Sequence, residues 1–330
     1  MNKSESSFLV TGAKGCIGAW VVKNLVDSGH QPVLFDLDTR SNRLAMLLSS
    51  AQMEAVSFVQ GDISEFPQVE RTVLEKGITH VIHLAGLQIP FCAADPPRGV
   101  RVNVLGTLNV FEVAKRNRGQ LKKIVYASSS AVFGPPEFYG DKQISVSAPL
   151  YPLTHYGAFK QCNEANARVY YHNDGISSVG VRPWAVYGVG RDQGRSSGPT
   201  KAIKATVVGR KYTIPFTGRL DLQYVDDVAK IFIAAADRDL PGARIYSPRG
   251  AVVEISEFIR VLTKVIPQAG DLIDASGGMQ PIAYDIDGSD LVRDLGPIQM
   301  TSLEQGIAET ARIFERLGQE NRLDVSDLDA

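Results

Sequence analysis

The run Phe8-Leu-Val-Thr-Gly-Ala-Lys-Gly-Cys-Ile-Gly18 constrains this chain more than any other segment, because it sets three glycines where an apolar strand turns into a helix. The bare backbone at Gly12 permits a tight turn, at Gly15 it lets a pyrophosphate come close, and at Gly18 it lets the helix lie against the sheet. The first N–H groups of the new helix, from Cys16 and Ile17, and its positive dipole end then receive the phosphates. A glycine trio alone is common, but here Asp36 closes the next apolar run about 20 residues on. A carboxylate there accepts bonds from the adenosine ribose hydroxyls and repels a 2'-phosphate. The expectation is a site for NAD rather than NADP, with Arg40 and Arg43 as the residues that argue the other way.

Around this loop, short apolar runs alternate with longer amphipathic stretches, the rhythm of parallel strands joined by crossover helices. The pattern predicts strands over 8–11, 32–35, 56–59, 80–84, 123–127 and 177–181, and helices over 17–28, 65–76, 100–115 and 154–172. The fold class is therefore α/β, a doubly wound parallel sheet of Rossmann type with a smaller mixed C-terminal substrate-binding region. Glycines and prolines between Pro183 and Pro199 mark the domain seam. Residues 1–185, joined by 220–240, are expected to form the dinucleotide-binding domain with the catalytic residues, and 186–330 mainly the substrate-binding domain. In that second part helices are predicted over 201–208, 225–236, 255–265 and 302–317, with an extended 212–214. Asp226 and Thr301 are the expected caps, and 319–330 reads as a frayed polar tail.

Tyr156 and Lys160 lie four residues apart near the start of a predicted helix, so both side chains leave the same face. At an effective dielectric of about 20, an ammonium some 4 Å from a phenol contributes about 4 kcal/mol, enough to bring its pKa from about 10 towards neutrality. That is the range a general base needs. In isolation such a pair is an ordinary apolar contact with a snorkelling cation, and it gains meaning from the nucleotide loop upstream. Val125-Tyr-Ala-Ser-Ser-Ser-Ala-Val-Phe-Gly134 ends a strand in a run of hydroxyls at the carboxyl edge of the sheet, where ligands of such folds bind.

Composition narrows the partners. Thirty-five basic and 36 acidic residues leave a net charge of -1, with no basic face for nucleic acid, so a small molecule is the expected partner. The three cysteines are far apart, without a CxxC pair, and the five histidines lack metal-ligand spacing, so neither metal nor disulfide is expected. No run reaches about 18 apolar residues and the first seven residues lack a signal-peptide core, so no membrane partner and a cytoplasmic location are expected.

Thr11-Gly-x-x-Gly-x-x-Gly18, the Ser-Ser-Ser130 run and Tyr156-x-x-x-Lys160, in this order, resemble the extended short-chain dehydrogenase/reductase family of NAD-dependent sugar epimerases and dehydratases. Supporting segments are Gly61-Asp62-Ile63, His83-Leu-Ala-Gly-Leu-Gln88, Asn103-Val-Leu-Gly-Thr107, Arg182-Pro-Trp-Ala-Val-Tyr-Gly188 and Tyr224-Val-Asp-Asp-Val-Ala229, so the resemblance runs over nearly the whole chain. It implies that Asp62 and Ile63 border the adenine, that Leu84, Ala85 and Gly86 line the cofactor channel, and that Asn103 belongs to the cofactor site. It further implies Tyr156 as the acid/base, Ser129 as the active-site hydroxyl, Lys160 on the nicotinamide ribose, and a homodimer built through 100–115 and 154–172. His155 beside Tyr156 reads as structural, because adjacent helical residues point apart.

The departures bear on substrate. Dehydratases that resemble this chain carry an Asp-Glu pair where Ser130 and Ala131 stand, so water loss is not expected. Nucleotide-sugar epimerases commonly contact the diphosphate through an asparagine and an arginine at positions that here are Ala185 and Leu220, with Arg219, Arg191 and Arg195 nearby as alternatives. The leading expectation is a dehydrogenase or reductase of a small polyhydroxylated compound of sugar or sugar-acid type in carbohydrate metabolism, with Gln88, Ser129, Ser130 and Trp184 on the substrate. The alternatives are an epimerase working by transient oxidation and a non-catalytic NAD-binding scaffold.

Overall fold

The computed structural model describes residues 6–39, 42–54, 56–140 and 143–329. Arg40 lies outside the described residues. The first six strands are β1 (Phe8–Thr11), β2 (Val33–Asp36), β3 (Ser57–Gln60), β4 (His80–His83), β5 (Lys123–Ala127) and β6 (Ser178–Val181). Six more follow, β7 (Ala185–Tyr187), β8 (Tyr212–Ile214), β9 (Arg219–Tyr224), β10 (Ala243–Tyr246), β11 (Ala251–Glu254) and β12 (Ile273–Ala275). Seven of them make one sheet in the order β10-β6-β5-β4-β1-β2-β3, parallel at every pairing. Strands β1, β4 and β6 are buried along their whole length, as continuous apolar runs covered by helices on both faces should be. The edge strand β3 is mostly exposed, and Lys14 covers its Phe58 ring with an ammonium 3.9 Å from the centroid.

The doubly wound sheet thus has the expected form, with the reversal of strand order between β1 and β4 placing a crevice at their carboxyl ends. Helix Cys16–Asp27 leaves β1 and packs its Trp20, Val21 and Leu25 face against helix Val225–Asp237 from the second half of the chain. Strand β10, for which the sequence pattern predicted no element, completes the central sheet beside β6. A three-stranded sheet β11-β9-β7 and a two-stranded β12-β8 form the remainder, with helices Gly198–Val207, Ile255–Val265 and Leu303–Gln319 around them. No helix among the described residues is long and apolar enough to cross a membrane.

Three local expectations are corrected. Asp226 does not cap helix Val225–Asp237; its carboxylate takes the Asn24 amide at 2.8 Å and the Lys230 ammonium at 2.6 Å. The cap of the last long helix is Ser302, in a capping box with Gln305, because Thr301 is drawn to Asp227 through both its N–H and its hydroxyl, at 2.7 and 2.8 Å. The acidic tail is fastened: Lys204 donates to the Asp324 carbonyl at 3.0 Å and to Asp327 at 2.7 Å, while Arg322 reaches the Ala45 carbonyl. The Asp327 carboxylate finds Lys204 on helix Gly198–Val207, a cation that sequence distance concealed.

Candidate active site

Two adjoining cavities run along the carboxyl ends of the central strands and meet at Gly12, Gly15, Leu84, Gly86, Leu87 and Gln88. The glycines of the loop are fixed by contact. At Gly12, with φ of +65°, a Cβ would lie 2.6 Å from the Ala85 nitrogen; at Gly18 it would lie 2.2 Å from the Gly12 carbonyl oxygen. A Cβ at Gly15 would meet only the Gly12 oxygen, at 3.1 Å, so that side of the loop is open. Helix Cys16–Asp27 begins there with no side-chain cap and no acidic residue in its first turn, so its end N–H groups face the cavity without a competing carboxylate.

The first cavity is bordered by Asp36, Asp62, Ile63 and Ala85. Asp36 is held by the backbone N–H groups of Lys14 at 2.9 Å and Asp38 at 3.2 Å, and its oxygens keep lone pairs for hydroxyl donors. Arg43 is not free for a 2'-phosphate. Its guanidinium donates to Asp192 at 2.6 and 3.1 Å, to the Gly190 carbonyl at 3.0 Å and to the Lys14 carbonyl at 3.1 Å. Asn103 does not line either cavity; it stands buried behind Gly86, where a Cβ would meet its Oδ1 at 2.6 Å. A π-helical turn, Arg101–Leu105, interrupts the predicted 100–115 helix and carries Asn103, whose Oδ1 has no hydrogen-bond partner. A polar chain joins this residue to the loop strand. The Thr107 hydroxyl donates to the Asn103 carbonyl at 2.7 Å, so His83 Nε2 donates to Thr107 at 3.0 Å and Thr11 donates to His83 Nδ1 at 2.7 Å. Burial holds His83 neutral, with its pKa pushed down to about 3.

The second cavity contains Tyr156, Lys160, Ser129, Ser130, Trp184 and Gln88. Helix His155–Asp174 starts at Thr154, whose hydroxyl accepts from the Gly157 N–H at 3.0 Å. A Cβ at Gly157 would lie 2.1 Å from the Ala131 oxygen, so this glycine lets the helix press onto the serine turn. That contact brings Tyr156 and Ser129 into the lining of the same cavity. The other serines are engaged elsewhere. Ser128 donates to Glu164 at 2.5 Å, and Glu164 forms a bidentate buried pair with Arg182 at 2.6 and 2.7 Å. Ser130 donates to the Arg182 carbonyl at 3.1 Å, which commits the one proton it had for the substrate contact expected of it. Trp184 forms a fixed wall, its indole N–H on the Ala283 carbonyl at 2.6 Å and its backbone N–H on Gln223 at 3.0 Å. His155 is exposed and stacks on Phe159.

The electrostatics differ from the expectation of a phenol made acidic by its neighbour. The Lys160 ammonium lies 5.5 Å from the Tyr156 ring centroid and donates to the Ala127 carbonyl at 2.7 Å. Burial pushes the phenol's pKa up, against the Ser129 hydrogen bond and the Arg191 charge that lower it, and pushes Lys160 down to about 8. Helical spacing gives adjacency, whereas the cost of desolvating both groups depends on the whole cavity. Arg191, Arg195, Ser196 and Gln280 also line this cavity. Arg191 and Arg195 were visible as nearby cations, but nothing in the spacing of a glycine-rich loop shows which way they point.

These residues fit a dinucleotide: an open glycine cradle at an uncapped helix end, a braced carboxylate beyond β2, and a buried orphan carbonyl behind Gly86. Comparison with known proteins defines the class. The model of the NAD dependent epimerase/dehydratase family matches residues 8–247, and the chain belongs to this family of NAD-dependent enzymes. UDP-glucose 4-epimerase of Mycolicibacterium smegmatis is 26% identical over 326 residues, covering 94% of this chain and 99% of the relative. UDP-glucuronate 4-epimerase 6 of Arabidopsis thaliana is 31% identical over 244 residues, 70% of this chain and 51% of that protein. Among solved structures, a partial consensus L-threonine 3-dehydrogenase superposes with a TM-score of 0.83 at 22% identity, covering 94% of this chain and 99% of its own. Thermus thermophilus UDP-glucose 4-epimerase in complex with NAD gives 0.79 at 24% identity, with 93% and 98% covered. Among the described residues no group of three or more His, Cys, Asp or Glu is placed to hold a metal ion.

Proposed function

We propose that the protein moves a hydride to or from an alcohol carbon of a small polyhydroxylated substrate of sugar or sugar-acid type, with Tyr156 transferring the hydroxyl proton. The observation that carries this reading is that Tyr156, Ser129 and Lys160 line one cavity that adjoins the glycine-loop channel. NAD, when bound, supplies the hydride acceptor or donor. Ser129 keeps its oxygen on the Ala131 N–H at 3.1 Å, so its proton is available to orient a substrate oxygen together with the phenol. Burial pushes Lys160 down to about 8, and its ammonium stands beside the Tyr156 ring, 5.5 Å from the centroid. A phenol held protonated favours carbonyl reduction near neutrality, and oxidation gains as pH rises.

The substrate is small rather than nucleotide-linked. Ala185 and Leu220 are buried in β7 and β9, and Arg219 lies on the surface against Glu254 at 3.2 Å, so none of these positions offers a diphosphate contact. A second reading, an epimerase that oxidises and re-reduces the same carbon, is supported by the UDP-glucose 4-epimerase that matches along 99% of its length. A homodimer belongs to the proposal, supported by exposed Val100, Leu105, Val169 and Tyr171 on the two helical segments expected to pair. Incubation with sugars, sugar acids and nucleotide sugars separates the readings. NADH accumulating at 340 nm supports a dehydrogenase, isomer forming without net NADH supports an epimerase, and neither with any of them contradicts both.

A further inference from the structure

We propose that Arg191 binds a carboxylate carried by the substrate itself, with Gln88 accepting from a hydroxyl beside it, so that the substrate class is a polyhydroxy acid of the α-hydroxy type. The inference rests on Tyr156 being the proton-transfer group and names what lies opposite it.

The catalytic cavity is unbalanced in charge. Lys160, Arg191 and Arg195 line it, and among the described residues none of its lining is aspartate or glutamate. Lys160 is engaged by the Ala127 carbonyl. Arg191 donates through Nη2 only to the neutral Ser196 hydroxyl at 3.0 Å, and its buried Nε has no partner. The carboxylate next to it in sequence, Asp192, is held on both oxygens by Arg43 and does not neutralise it. A guanidinium with a buried unpaired donor asks for an anion with planar, two-oxygen geometry.

Beside it stands the opposite defect. Gln88 Oε1 is buried with no donor. A Cβ built on Gly194 would be 2.2 Å from that oxygen and 3.1 Å from Arg191 Nη2, so the amide and the guanidinium pack side by side against Gly194, whose φ of +95° suits a glycine, and both residues line the catalytic cavity. A carboxylate satisfies the arginine but leaves the amide oxygen unpaired, and a neutral hydroxyl does the reverse. A carboxylate on a hydroxyl-bearing carbon satisfies both. The loop is also braced just before the residue that reaches in, with Trp20 donating to the Val189 carbonyl at 2.9 Å and Arg43 to the Gly190 carbonyl at 3.0 Å.

The test uses the NAD-loaded protein and matched sets of four- to six-carbon aldonates, aldoses of the same chain length, and UDP-sugars. The aldonates should exceed the aldoses by about 100-fold or more in kcat/KM. Arg191→Gln should raise KM for the acids by about 50-fold or more but not KM for the aldoses, with any change in kcat from loss of its charge near Tyr156 shared by both classes, and should be partly rescued by Arg191→Lys. Equal loss on acids and aldoses, or preference for an aldose or a UDP-sugar, overturns the proposal while leaving Tyr156 chemistry intact. Quenching of Trp184 fluorescence by aldonates in the NADH complex reads the site without turnover. Quenching by acids that Arg191→Gln abolishes supports the anion site even if the Tyr156 reading fails, and no quenching by any aldonate overturns it.

Discussion

At the adenosine end of the channel the groups offered to a ligand are main-chain N–H groups at the start of helix Cys16–Asp27 and a carboxylate braced by two further N–H groups, all on the central sheet. At the catalytic end they are side chains from a helix start, a serine turn and the 188–197 loop, held by contacts that cross the whole chain. Backbone recognition tolerates few alternatives, because an added Cβ at Gly12 or Gly18 would overlap main-chain atoms. Side-chain recognition is readily altered one residue at a time. A conserved type of cofactor grip and a reshaped substrate pocket can therefore coexist in one fold.

The sharpest way to break this division is Lys160→Met, which touches both ends. Loss of its ammonium from the Ala127 carbonyl and from beside Tyr156 should lower kcat by about 100- to 1,000-fold and weaken NAD binding in parallel, checked by steady-state rates and calorimetric titration. Undiminished NAD affinity would assign the lysine to the catalytic end alone. Asp36→Ala should act only at the adenosine end, costing about 1.5–3 kcal/mol of NAD affinity while NADP binds no worse. Equal losses for both dinucleotides in a fluorescence titration would contradict its place on the ribose.

The buried polar chain behind Gly86 should make the rigid end acid-sensitive. His83 folds with a pKa near 3 against an ordinary 6.5, so its contribution is complete above pH 6.5 and declines as pH falls towards 3, where only the unfolded chain takes up the proton. By pH 5 this loss is about 2 kcal/mol, and His83→Gln should flatten the fall in urea midpoint between pH 7 and 5. An unchanged slope would contradict the neutral, doubly bonded imidazole. The smallest effect expected is from Arg43→Gln, which releases Asp192 beside Arg191. It should raise substrate KM by about five-fold, near 1 kcal/mol, with NAD affinity unaltered in the same titration.

The same contrast explains what could be read in advance. Strands β1, β4, β5 and β6, the glycine loop and helix His155–Asp174 were legible because local periodicity and glycine placement determine them. Strand β10 was not, since its pairing with β6 joins residues far apart in sequence. The capping roles expected of Asp226 and Thr301 failed for a related reason: Asn24, with Lys230 one turn along the same helix, drew the Asp226 carboxylate, and Asp227 drew the Thr301 side chain. In the candidate site, spacing pointed to Tyr156 and Lys160 and the resemblance to Ser129, and the three share one cavity, but the direction of the phenol's pKa was not foreseen, because it depends on burial by residues that no motif contains. Arg191 and Gln88 became meaningful only when each was seen to carry a buried unpaired atom in the lining of one cavity.

The most direct measurement of the central claim is kcat for Tyr156→Phe on a substrate that the native protein oxidises, taken beside its NAD dissociation constant. The account predicts a fall of about 100- to 10,000-fold in kcat with NAD affinity unchanged. Turnover equal to that of the native protein would contradict it.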